Sequence, residues 1–165
     1  MRDVVVLELS DGLLVTLPLE LARGLLRPPL SETDLLLVQE TLRLAPPLSE
    51  DSWLKRTKDT KLKLTRGDPI GLAEVVRDGA LRQRRLLAKK GGAFLSSSER
   101  ALYTRARRLL AGEVGLANEL DPAEAEAWIT EQLDPLSQLA NVDSLPGERP
   151  SFSTRVGDET SPEAG

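Results

Sequence analysis

The hydrophobic positions along this chain change period after its first eighteen residues. Residues 4–9, VVVLEL, are β-branched and leucine-rich, SDG follows with turn chemistry, and LLVTLP stops at Pro18. Two short apolar runs around a glycine-containing turn predict a β-hairpin. LELARGLLRPP then reads as a short, turn-like helix broken by Gly24 and by Pro28 and Pro29. Ser31 offers a capping oxygen, with Glu32 and Asp34 well placed in the first turn. The helix it opens is expected to reach Arg43 and to end at Pro46 and Pro47.

A further helix is predicted from Ser52 to Thr65, closed by Gly67. Asp68-Pro69 is a strong start signal, an N-cap acceptor followed by proline at the first helical position. Behind it Ile70, Leu72, Ala73, Val76, Ala80 and Leu81 form an apolar stripe at helical spacing. Within AEVVRDGALRQRR, residues 73–85, that amphipathic helix turns strongly basic. AKKGG marks a loop, in which Gly91-Gly92 reads as a hinge and not as a phosphate cradle. SSSE at 96–99 fits a capping box, and Leu102, Ala106, Leu109, Leu110, Val114 and Leu116 continue the helix it opens. DPAE at 121–124 repeats the Asp-Pro start and opens a short acidic helix to Leu133. Beyond Asp134 apolar periodicity fades, and residues 143–165 bury too little to offset the entropy of ordering. The pattern predicts a mostly α protein: a compact bundle of about five helices, a β-hairpin before it and a disordered acidic tail after it.

Composition narrows the chemistry. In 165 residues, 40% are hydrophobic but only 3% aromatic, so the core must be Leu, Val and Ala, which suits helices packed on helices. Cysteine and histidine are both absent. That excludes disulfides, thiolate or imidazole metal sites, and Ser-His-Asp or Cys-His nucleophiles. Glu113 with Glu119 or Asp121 lacks a persuasive carboxylate-pair spacing. No catalytic residue, metal or cofactor is therefore assigned, and an enzyme is not expected. No apolar run approaches the length of a membrane span, and the amino terminus lacks a cleavage pattern, so a cytoplasmic protein is expected.

Charge changes the picture more. The net charge of −4 hides strong segregation. Residues 1–52 carry 4 basic and 9 acidic side chains, residues 53–108 carry 16 and 5, and residues 109–165 carry 2 and 12. A charge run is usually a solvated helix face. Here the excess spans two predicted helices and the loop between them, with clusters at Arg82/Arg84/Arg85 and Lys89/Lys90. Such a surface repels itself, which points to an anionic partner or to shielding by the acidic carboxyl-terminal region. If the partner is duplex DNA, phosphate contacts supply affinity without reading sequence, and four of them give a log–log salt slope of about −3.6. Arg82, Arg84 and Arg85 are the first candidates for such contacts, and Lys89 and Lys90 the next.

Several of these stretches also occur together in a known family. SW at 52–53, the Lys/Arg-rich helix behind it, GDP at 67–69, AEVVRD at 73–78, LSSSER at 95–100 and RARRLLAGEVGLA at 105–117 follow in one order. Together they resemble the CarD/CdnL family of bacterial transcription regulators, over residues 4–133. The resemblance implies an amino-terminal Tudor-like β module that binds the RNA polymerase β subunit. It also implies a helical domain gripping the upstream edge of the promoter bubble, in some members with a Trp wedged into the minor groove. On that footing residues 1–27 are a hairpin remnant of the polymerase-binding module, 28–133 the helical domain and 134–165 the tail. Leu14, Val15, Thr16, Leu17 and Pro18 match the polymerase-facing strand. The implied partners are promoter DNA and the polymerase β subunit, and the implied role is stabilising the open complex. Basic residues on phosphates beside an apolar wedge suit an opening step.

The chain departs from the family pattern in three places. It starts where the barrel is half built, leaving an edge that needs the helices, a partner strand or upstream residues to cover it. Thr16 stands where some members carry Arg. Gly79-Ala80 stands where some read Leu-Trp: Ala80 cannot wedge, and Gly79 weakens the helix by up to about 1 kcal/mol relative to Ala. Leu81, Leu86 and Leu87 are the available substitutes for the wedge. The loop before LSSSER is longer and adds two positive charges. Trp53 is expected in the helical core, and Arg77-Asp78 as a helix-surface pair or core-edge contact. The competing reading is a degenerate member that acts as a protein-interaction adaptor without binding DNA.

Overall fold

A computed structural model describes residues 3–9, 12–45, 52–89 and 91–136. Pro46, Pro47, Lys90 and the tail from 137 onward lie outside the described residues. The element order is β1 (Val4–Glu8), β2 (Leu14–Pro18), α1 (Leu19–Leu25), α2 (Glu32–Arg43), α3 (Trp53–Arg66), α4 (Pro69–Ala88), α5 (Ser97–Asn118) and α6 (Pro122–Leu133). The protein is mostly helical behind a two-stranded antiparallel hairpin. The described residues hold six helices because LELARGL, expected as a short, turn-like helix broken by Gly24, forms a regular helix with Gly24 inside it.

The helix ends follow local chemistry. Ser31 and Asp34 form a reciprocal capping box, as do Ser96 with Glu99 and Asp121 with Glu124. Asp68 accepts from the Gly71 N–H at 2.7 Å, one residue before the proline that starts α4. Each such cap satisfies donors that the first turn leaves open, contributing about 1 kcal/mol. α3 ends on Gly67 with φ at +64°, the left-handed position that glycine adopts without a Cβ penalty.

α4 is the hub, touching α2, α3 and α5, while α6 closes against α5 and α2. Val38 and Leu42 of α2, Leu72 and Val76 of α4, Leu110 and Val114 of α5, and Ile129 of α6 are fully buried together. Each contributes about 1.5–3 kcal/mol by burial. Leu136 joins the same core, so the packed chain continues three residues past the expected boundary at 133. Arg77 is buried at the α2–α4 seam. Its Nε donates to Asp78 at 2.8 Å and its Nη1 to the Thr41 carbonyl at 3.4 Å, the core-edge contact of the two alternatives expected for this pair.

The apolar residues of α5 divide between core and surface, and one expectation about the core needs correction. Leu109 and Leu116 are 41% and 65% exposed, because the buried phase of α5 runs through Ala106, Leu110, Ala111 and Val114. One residue along a helix turns the side chain by about 100°, so these leucines point off the seam. Trp53 is 44% exposed and not in the core. Only Leu64 of α3 is buried, and Trp53 sits eleven residues upstream, about 16 Å along the axis and beyond the packed end.

The hairpin pairs Val4 with Pro18, Val6 with Thr16 and Glu8 with Leu14. The side chains of those six residues form its exposed face, while Val5, Leu7, Val15 and Leu17 are half-buried on the other. The hairpin packs on α1, and the segment after α1 is held to the body by an Arg27–Glu113 ion pair at 2.7 Å and by buried Leu30.

Candidate nucleic-acid interface

α3 rests on α4 and α5 near its carboxyl end and leaves a cleft of about 1180 Å³ between them. Val75, Leu81, Leu86, Leu102 and Tyr103 are among the apolar side chains that line it. Basic side chains face it from both sides: Lys58 and Lys61 from α3, Arg85 from α4, and Lys89 just after α4. Among the described residues these four carry no ion pair. They are the charges left for a ligand.

Tyr103 fixes one side of this cleft. A Cβ at Gly79 would lie 2.4 Å from Tyr103 Cδ2, so the ring packs on α4 only because residue 79 has no side chain. The Tyr103 hydroxyl accepts from Arg107 Nη1 at 3.1 Å. Arg107 also donates to the Glu126 carbonyl at 3.1 Å and pairs with the Glu126 carboxylate, which ties the ring to α6. Burial pulls the Arg107 guanidinium down, but the Glu126 and Tyr103 contacts outweigh it and raise its pKa above the usual value. Gly79 is therefore a packing requirement, and any helix weakness there is offset by a seated aromatic ring.

The other candidate cations divide. Arg82 lines the cleft, with its Nε 3.0 Å from Glu99 Oε1, close enough for the charges to attract although the N–H is not aligned as a hydrogen bond. Burial pushes the Glu99 carboxyl up. Hydrogen bonds from the Ser96 hydroxyl and N–H, with the Arg82 and Arg56 charges, outweigh this and hold it below the usual carboxylate range. Arg84, two residues on, faces another side of α4 and donates from Nη1 to the Leu133 carbonyl at 2.9 Å. It caps the end of α6. Lys63 is also committed, to Asp59 at 2.8 Å and Glu74 at 3.0 Å. The structure brings together Arg82, Arg85 and Lys89, sets Arg84 apart, and Lys90 lies outside the described residues.

Sequence reasoning missed Lys58 and Lys61, whose three-residue spacing on one helix face was the available signal. It also missed Arg105 and Arg108, which with Arg100 line a shallower hollow on the outer face of α5. Arg100 lies 6.0 Å over the Phe94 ring. Ala80 is buried; of the possible wedge substitutes, Leu81 and Leu86 are half-buried in the cleft and Leu87 is exposed.

The family model for the CarD C-terminal domain matches residues 37–130, more than half of the chain, from within α2 to near the end of α6. The chain belongs to the CarD family. Its role is accordingly transcription-associated. The CarD match covers all of α3, α4 and α5, and therefore the whole cationic cleft. Among the described residues no group of His, Cys, Asp and Glu side chains could hold a metal ion, and no helix is long and apolar enough to cross a membrane.

Proposed function

We propose that this CarD-family chain is a non-enzymatic regulator that binds promoter DNA through the cationic walls of the α3–α4 cleft and stabilises the open complex. Arg85 and Lys89, joined by Lys58 and Lys61, hold phosphates, while Arg82 acts mainly through its pair with Glu99. The observation carrying this reading is that four cations without ion pairs flank one cleft on neighbouring elements. Phosphate contacts of this kind set register and affinity and need no base readout. Arg84 contributes to the fold.

The same reading gives the hairpin to the RNA polymerase β subunit. A two-stranded sheet leaves both outer edges open to strand addition. Leu14, Thr16 and Pro18 stand on its exposed face, with Val15 and Leu17 behind them. Thr16 offers a hydroxyl but no charge, so this contact rests on main-chain pairing and apolar area.

Fluorescence anisotropy with a promoter duplex and with a forked duplex tests the DNA half. The double variant Arg85→Glu, Lys89→Glu is expected to weaken both by at least about tenfold at moderate salt. Unchanged affinity in that variant, with circular dichroism showing a native fold, refutes the assignment.

A further inference from the structure

Phosphate binding leaves the apolar lining of the α3–α4 cleft unexplained. Leu81, Leu86 and Leu102 border a space of about 1180 Å³, larger than the pockets that hold small ligands. A phosphate grip needs no apolar floor. The cleft carries a second kind of information.

We infer that this cleft is a docking groove for an acidic amphipathic helix of a partner protein. Two features of the lining specify that ligand. Its apolar strip is drawn from three helices: Leu81 and Leu86 of α4, Leu102 of α5 and Leu62 of α3. Leucines at i, i+3, i+4 and i+7 of an incoming helix match such a strip. The charged part of the lining holds eight Lys and Arg against three carboxylates. A helix with Asp and Glu on both flanks of its apolar stripe meets opposite charge on either wall, which steers its approach and disfavours basic competitors. Duplex DNA matches the charge but not the strip. This groove does not depend on DNA binding, although a seated helix covers Arg85 and Lys89 and so competes with any nucleic acid there.

The test uses the full chain and a fluorescent synthetic helix of about eighteen residues, leucine-striped with glutamate flanks, beside an isomer with its leucines scrambled. The striped peptide is expected to bind at least about tenfold tighter than the scrambled one. Leu62→Asn alters an exposed side chain, and Leu86→Asn probes the opposite wall, neither adding a charge to the cleft. Each is expected to weaken the striped peptide by about tenfold while leaving duplex affinity within about twofold. Equal binding of the two peptides reduces the cleft to a charged surface and overturns the inference. So does unchanged peptide binding in both leucine variants. Tighter binding by a peptide of residues 137–165 than by the striped helix overturns it too, by assigning the groove to the chain's own carboxyl terminus. Loss of DNA binding in the charge variants leaves this outcome independent, because the leucine variants read only the apolar strip.

Discussion

Replacing Gly79 by alanine separates two opposed effects whose sizes follow from the structure. In an exposed helix interior the change stabilises by about 1 kcal/mol, because glycine is the poorer helix former. Here the new Cβ lies 2.4 Å from Tyr103 Cδ2, against a comfortable carbon–carbon separation of about 3.5–4.0 Å. The ring must retreat by more than about 1 Å, and its hydroxyl is held by Arg107. Overpacking of this kind costs about 1–3 kcal/mol, so Gly79→Ala is expected to destabilise by about 1 kcal/mol net. In a Tyr103→Ala background the obstacle is gone, and the same substitution should stabilise by about 1 kcal/mol. Urea unfolding of the four proteins, followed by far-UV circular dichroism, gives the coupling energy, expected near 2 kcal/mol. Equal stabilisation by Gly79→Ala in both backgrounds refutes the seating of Tyr103 on α4, and with it that side of the cleft.

Three further outcomes follow from particular contacts. Arg84→Met should cost about 0.5–1.5 kcal/mol in urea unfolding by freeing the Leu133 carbonyl, and should leave DNA affinity unchanged within about twofold. Glu119 ends α5 with φ at +54°, so Glu119→Gly should stabilise by about 0.5–1 kcal/mol in the same assay. The folded-state pKa of Glu99 is depressed, so its contribution is full above the unfolded carboxyl value of about 4.3 and is lost as pH falls through the lower folded value. Acid unfolding of Glu99→Gln, compared with the parent, should show a shallower loss of stability across that window.

Local chemistry made the helical part of the fold legible. Ser31, Asp68, Ser96 and Asp121 marked the starts of four helices because capping is decided within four residues. The buried stripe of α4 was readable for the same reason: Leu72, Ala73, Val76 and Ala80 share one helix face, and α4 packs on three sides. Trp53 was misread, and the exposure of Leu109 and Leu116 was not legible, because exposure depends on where a neighbouring helix ends or crosses, which periodicity does not encode. The site was legible as net charge but not as a surface. Arg82, Arg84 and Arg85 look equivalent in sequence, yet one meets Glu99 across the α4–α5 seam, one caps α6 and one has no ion pair among the described residues. Gly79 read as a weakness because its partner, Tyr103, lies 24 residues away along the chain.

Salt dependence addresses the main assignment most directly. With Lys58, Lys61, Arg85 and Lys89 each on a phosphate, a log–log plot of duplex affinity against salt should have a slope near about −3.6. The slope should shrink by about 0.9 for each of the four changed to a neutral residue. Salt-independent affinity, or an undiminished slope after all four are neutralised, would contradict the assignment of this cleft to nucleic acid.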